Sequence, residues 1–147
     1  MSSEVGISPR TQLARLREAV TGVWKLVSAE NFVDGAWVPA FGTPPSGYFI
    51  YDASGYASVQ IMTVPPVTVT EPDSDPPSPD EALAIFNGYI AYYGTWTVDA
   101  QNLTVYVQGA WDPRQVCTAQ ARPYQVGGDI LIIGDQTTYR RTLQRVG

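Results

Sequence analysis

Glu30, Arg122 and Tyr92 are the side chains of this 147-residue chain whose types and neighbours fit proton transfer or charge stabilisation inside an apolar site. Across residues 23–32, strict strand alternation puts Trp24, Leu26, Ser28, Glu30 and Phe32 on one face and Lys25 on the other. A carboxyl turned into apolar surroundings has its pKa raised toward the range where a general acid or base works. The same carboxyl, four residues before the Asp34-Gly35 turn, can also sit in solvent. Arg122 lies between Ala121 and Pro123 and is costly to bury alone, so it should meet either a carboxylate such as Glu30 or a ligand oxygen. Alternation also groups Tyr56, Ser58, Gln60 and Met62, whose mix of amphipathic, polar and flexible groups reads as a ligand-facing wall, with Ala57, Val59 and Ile61 outward. Trp24, Phe49, Trp96 and Gln120 complete the expected wall. Of the adjacent Tyr92 and Tyr93, only one can face the interior if the segment is extended. Hydrogen bonds from Ser58, Gln60, a tyrosine hydroxyl or Arg122 would stabilise negative charge developing on a carbonyl oxygen.

Composition excludes several other chemistries. The chain has no histidine, which removes imidazole-based triads and the commonest transition-metal ligand. Its single cysteine, Cys117, supports neither an internal disulfide nor a zinc site and reads as a small buried apolar residue. No metal or other cofactor is expected. A formal net charge of −5 argues against a nucleic-acid partner, since phosphate binding rests on clustered positive charge. Glu71, Asp73, Asp75, Asp80 and Glu81 carry that excess, but prolines scatter them and the calcium-loop glycine is missing. No apolar run approaches the roughly 20 residues of a spanning helix, and no basic-then-apolar leader is seen, so a soluble cytoplasmic protein without a membrane partner is expected.

These side chains need elements to hold them, and the length fits one domain over residues 1–147. Within an N-terminal segment, 1–21, Ser8-Pro9 supplies a capping hydroxyl and a proline at the first helical position, followed by the stripe Leu13, Leu16 and Val20. Residues 63–79 are rich in proline and acid, which makes them a surface loop and a candidate lid. Ser78, Pro79, Asp80 and Glu81 form a capping box, opening a second helix whose stripe of Ala82, Phe86, Tyr89, Ile90 and Tyr93 should end before Gly94. Elsewhere, short strands are expected at 23–32, 36–38, 47–51, 56–62, 95–98, 103–109, 116–126, 130–133 and 138–146, punctuated by aspartate- and glycine-rich turns. Eight or more strands in hairpin succession favour an all-β fold, a closed antiparallel barrel with a short N-terminal helix and one inserted helix. An eight-stranded barrel is either filled by side chains or holds one small ligand.

The blocks Gly22-Val23-Trp24-Lys25-Leu26-Val27-Ser28, Gly47-Tyr48-Phe49-Ile50-Tyr51-Asp52, Gly55-Tyr56-Ala57-Ser58-Val59-Gln60-Ile61-Met62, Phe86-Asn87-Gly88-Tyr89-Ile90-Ala91-Tyr92-Tyr93-Gly94 and Tyr139-Arg140-Arg141-Thr142-Leu143 follow in an order that resembles the small bacterial and fungal lipocalin-like domain family. The resemblance covers roughly residues 22–146. It implies a compact antiparallel barrel with an inserted helix and an apolar cavity. Similar barrels are cofactor-free cyclases or isomerases of natural-product pathways, or carriers that leave the ligand unchanged. The chain departs from the family pattern at Val107, where members often have a polar or histidine residue, and in its proline-rich loop. A cavity of this kind can bury about 400 Å² of ligand, roughly 10 kcal/mol gross. Immobilisation offsets much of that. The remainder can hold a flexible chain in one reactive conformer. The expected function is therefore a cofactor-independent cyclase or isomerase of a polyketide- or terpene-type intermediate, with a carrier of a hydrophobic small molecule as the alternative. A filled barrel forming a homodimer through an exposed apolar strand face is a third reading.

Overall fold

The computed structural model describes residues 6–146; residues 1–5 of the expected N-terminal segment, and residue 147, lie outside the described residues. Helix α1, Pro9–Val20, starts where the Ser8 hydroxyl oxygen accepts the Thr11 amide at 3.1 Å, with proline in the first turn. Helix α2, Pro79–Gly88, carries the reciprocal Ser78 and Glu81 capping bonds. The second oxygen of Glu81 accepts the amide and hydroxyl of Thr70, which straps the proline-rich loop to the helix. The helical stripe does not continue to Tyr93 as expected. Tyr89 instead opens a strand, because residues 89–95 pair in register with residues 56–62, and that ladder overrides local periodicity.

The strands are β1 Gly22–Val33, β2 Ala36–Pro39, β3 Ser46–Tyr51, β4 Tyr56–Met62, β5 Tyr89–Val98, β6 Asn102–Ala110, β7 Ala119–Gly127, β8 Ile130–Ile133 and β9 Tyr139–Arg145. A 3-10 turn, Pro113–Gln115, precedes β7, which starts three residues later than expected. Every pairing is antiparallel. Strands β1 and β3 to β9 form a ring in sequence order, closed by β1 on β9, while β2 is an extra strand on the far half of β1. This is the closed antiparallel barrel that the hairpin pattern and the resemblance imply, and closure removes all but short edges.

Two irregularities decide which residues face inward. The β1–β9 register slips between Leu26 and Ser28, so one extra residue sits on β1 and the alternation flips beyond it. Trp24 and Leu26 point in before the bulge, and Ala29 and Asn31 after it. The inward placement expected for Glu30 is thereby corrected: its carboxylate lies outside and pairs with Arg140 at 2.7 Å, and that guanidinium sits 3.9 Å over the Trp37 ring. On β4 the alternation holds but the faces are exchanged. Ala57, Val59 and Ile61 are buried, and Tyr56, Ser58, Gln60 and Met62 lie on the outer face. The reason is the neighbouring strand, where Phe49 and Tyr51 are the register partners of Val59 and Ala57 and bring the apolar faces together. A second slip falls at Gly94, where a Cβ would overlap the Tyr106 carbonyl oxygen, so only glycine allows the close approach. Cys117, expected to be buried, is exposed, in a turn at a φ of 66°.

Helix α1 seals one end of the barrel. Trp24 donates its indole N–H to the Val20 carbonyl at 2.8 Å, and Arg145 covers the Trp24 ring at 4.3 Å while donating to the Thr21 and Ala19 carbonyls. Trp96 repeats the arrangement, donating to the Asp52 carbonyl beneath Arg17, which itself holds the Ala53 carbonyl. Trp24→Ala should cost about 3–5 kcal/mol in urea unfolding, the range for emptying a large buried aromatic site.

Turn carboxylates carry a second consequence. Asp135 accepts the Thr138 hydroxyl and the amides of Thr137, Thr138 and Tyr139, which hold it far below the usual carboxylate range. The Ser78 amide, followed by Thr70, lowers Glu81 in the same direction. A depressed carboxyl adds stability above its unfolded value and loses it as pH falls through the folded value. Urea unfolding should therefore show stability falling once pH drops below about 4. Asp135→Asn should make that fall shallower and lower stability at neutral pH.

Candidate functional site

A cavity of about 350 Å³ occupies the part of the barrel away from α1. Phe49, Val59, Ile90, Leu103, Val105 and Ile133 give it an apolar wall. Between these, strands β7 and β9 turn in polar side chains that the alternation of each strand dictates: Gln120 and Arg122 from β7, Tyr139 and Arg141 from β9. Tyr92 enters from β5, and Tyr93 points out, as their adjacency requires.

Of the residues expected at the site, Phe49, Tyr92, Gln120 and Arg122 line this cavity. Trp24 and Trp96 are fully buried in the floor beneath it. Glu30, Tyr56, Ser58, Gln60 and Met62 lie outside, where Ser58 and Gln60 edge a shallow groove beside Tyr93. Asn31, Tyr51, Trp111, Gln115, Tyr139 and Arg141 also line the cavity, beyond the residues expected there. The signal for Arg141 was present, because it stands two residues from Leu143 on the inward face. Asn31 was hidden by the bulge.

Arg122 does not meet Glu30. Its Nη2 donates to the Gln120 Oε1 at 2.8 Å, Gln120 donates to the Thr118 hydroxyl at 2.8 Å, and that hydroxyl donates to the Gln115 carbonyl at 2.6 Å. The guanidinium is thus aimed by a chain of neutral groups anchored in the turn before β7. Arg141 is held by the Glu30 carbonyl at 3.1 Å and by the Asn31 Oδ1 and Arg140 carbonyl at 3.2 Å. Among the described residues the ion pairs are Arg114–Asp112, Arg140–Glu30 and Arg145–Asp129, none of which includes Arg122 or Arg141. No carboxylate lines the cavity.

Burial raises the Tyr51 and Tyr92 hydroxyls above their ordinary value, the neighbouring Tyr92 adds to the rise at Tyr51, and the charge of Arg122 opposes it at both. Both tyrosines are therefore protonated donors at neutral pH. Burial lowers Arg141, and the charge of Arg122 pushes it the same way, while Tyr139 opposes. The cavity can donate hydrogen bonds and positive charge to a buried oxygen, but it offers no residue ready to take a proton. At the rim, the Trp111 indole N–H donates to the Phe86 carbonyl at 3.1 Å with the rings 5.9 Å apart, which ties α2 to the cavity wall. No residue of the 63–79 loop lines the cavity. Among the described residues, no cluster of three metal-ligating side chains occurs and no helix is long and apolar enough to cross a membrane.

The exchange of faces on β4 is directly testable. Gln60→Lys, on the outer face, should change unfolding free energy by about 0.5 kcal/mol or less. Val59→Lys would bury an unpaired ammonium against Phe49 and should cost about 4 kcal/mol or more, or abolish folding. Thermal unfolding followed by circular dichroism separates the two.

Comparison with known proteins yields a match of residues 21–144 to a family model described as a lipocalin-like domain. No curated protein matches the chain.

Proposed function

Because this chain belongs to the lipocalin-like domain family, we propose that its barrel takes up an apolar small molecule and guides it, without a cofactor, through cyclisation or isomerisation. The substrate assigned by this reading is a polyketide- or terpene-type intermediate of natural-product biosynthesis. The supporting observation is the Arg122 guanidinium, aimed by Gln120 and set beside Tyr92 in a cavity whose other sides are the apolar groups of Phe49, Val59, Leu103 and Val105. Such a group strengthens its hold on a carbonyl oxygen as negative charge grows there, and that difference lowers a barrier. The apolar wall adds conformational restriction of a flexible chain. Substrate and product then have equal mass, because the proton released at one carbon returns to another atom of the same molecule. The proton moves through water or the substrate's own groups, since the lining holds no carboxylate or imidazole.

The lack of a base also favours a second reading, a carrier that holds its ligand and releases it unchanged. For either role a reducing cytoplasmic setting suits the exposed free thiol of Cys117.

Metabolite profiling of the source organism with and without the gene separates the two. Loss of an enzyme replaces one product by an isomer of equal mass, and complementation with Arg122→Met should restore turnover about 10²-fold less well than the parent, the usual effect of removing one oxyanion donor. Unchanged product identities with altered amounts would establish the carrier instead.

A further inference from the structure

We infer that the ligand of this cavity is an organic anion, an apolar body bearing one ionised oxygen group that seats between Arg122 and Arg141. The inference rests on the reading above that the cavity is the binding site, and it names the class of molecule bound. Two guanidiniums line a space of about 350 Å³ that contains no carboxylate. The other paired arginines of the described residues, Arg114, Arg140 and Arg145, have acidic partners on the surface or at the barrel ends. Arg122 and Arg141 have only neutral acceptors, a glutamine oxygen for one and two carbonyls with an asparagine oxygen for the other. Holding one guanidinium partly buried without a counter-charge is costly, and holding two in the same cavity is more so. An arriving anion offsets both penalties and forms charge-assisted hydrogen bonds, which are stronger than those between neutral groups.

The geometry of the strands agrees. Ile133 of β8 is the register partner of Arg141 on one side and of Tyr124, two residues beyond Arg122, on the other. Both guanidiniums therefore project from one sector of the barrel, flanking Ile133. Phe49, Val59, Leu103 and Val105 line the same space and offer an apolar seat for the body. A further polar contact is available, because the Gln115 Oε1 is buried without a hydrogen-bond partner and lines the same cavity. It is an acceptor, so it assigns a hydroxyl or N–H donor to the ligand in addition to the anionic group. Carboxylates and acidic enols or phenols share this chemistry.

The test compares two fluorescent probes of the same ring skeleton, 8-anilinonaphthalene-1-sulfonate, which is an anion, and N-phenyl-1-naphthylamine, which lacks the charge. The full chain should bind the anion saturably, and about ten-fold more tightly than the neutral probe. Arg122→Met and Arg141→Met should each reduce that preference, and Arg141→Lys, which keeps the charge, should retain more of it than Arg141→Met. Circular dichroism confirms that each variant is folded before its titration is scored, and Arg122→Met alone decides the matter if Arg141 variants do not fold. Displacement of the bound anion by 2-naphthoate alone assigns a carboxylate, displacement by 4-nitrophenolate alone assigns an ionised enol or phenol, and displacement by both supports the shared chemistry. Equal binding of the two probes, or displacement by neither competitor, overturns the anion inference while leaving small-molecule binding in place. Absence of saturable binding of either probe to the parent chain overturns both.

Discussion

The seam between β1 and β9 is the constraint on which the rest of the molecule depends. It joins the two ends of the described sheet, so closure, interior volume and the facing of every strand follow from its register. The seam contains a bulge, and the bulge serves two ends with one extra residue. Before it, Trp24 and Leu26 fill the sealed end; after it, Ala29 joins the core, Asn31 faces the cavity and Glu30 is expelled to the surface. A regular seam would have placed the carboxylate of Glu30 inside, on the barrel's cavity side, and would have neutralised part of its positive charge.

The two ends of the barrel are built from the same residue types under opposite rules. At the sealed end, Arg17 and Arg145 lie over tryptophan rings and donate to backbone carbonyls, with the Asp129 carboxylate beside Arg145. At the cavity end, Arg122 and Arg141 are steadied by neutral groups and leave their charge directed at the interior. The first arrangement adds stability, and the second gives it up. Violations of local preference of this kind are characteristic of binding sites, where stability is exchanged for preorganisation.

That preorganisation limits the chemistry. Donors held by Gln120 and Asn31 need no reorganisation when charge develops on a bound oxygen, which is the condition for electrostatic stabilisation. The tyrosines, kept protonated by burial, add donors and cannot act as bases at neutral pH. Any reaction here must draw its driving force from the substrate's own reactivity, shaped by the wall and steadied by the guanidiniums.

Much of the architecture is legible in the linear chain because it depends on local physics. Ser8-Pro9 and the Ser78 to Glu81 capping box set both helix starts, and aspartate- and glycine-rich turns mark the hairpins, because these signals act within a few residues. The composition excludes imidazole chemistry, and alternation separates Tyr92 from Tyr93. What the chain could not reveal was which side of an alternating strand is inside. Both faces of β4 carry large apolar groups, and only its pairing with Phe49 and Tyr51 selects Val59 over Ser58. The β1 bulge is a property of two strands over a hundred residues apart, so no local pattern moves Glu30 out and Asn31 in. Residue types, turns and helix starts belong to the sequence alone; the charge of the cavity was decided by tertiary pairing, because facing is set by contacts between distant strands and not by the residues within one.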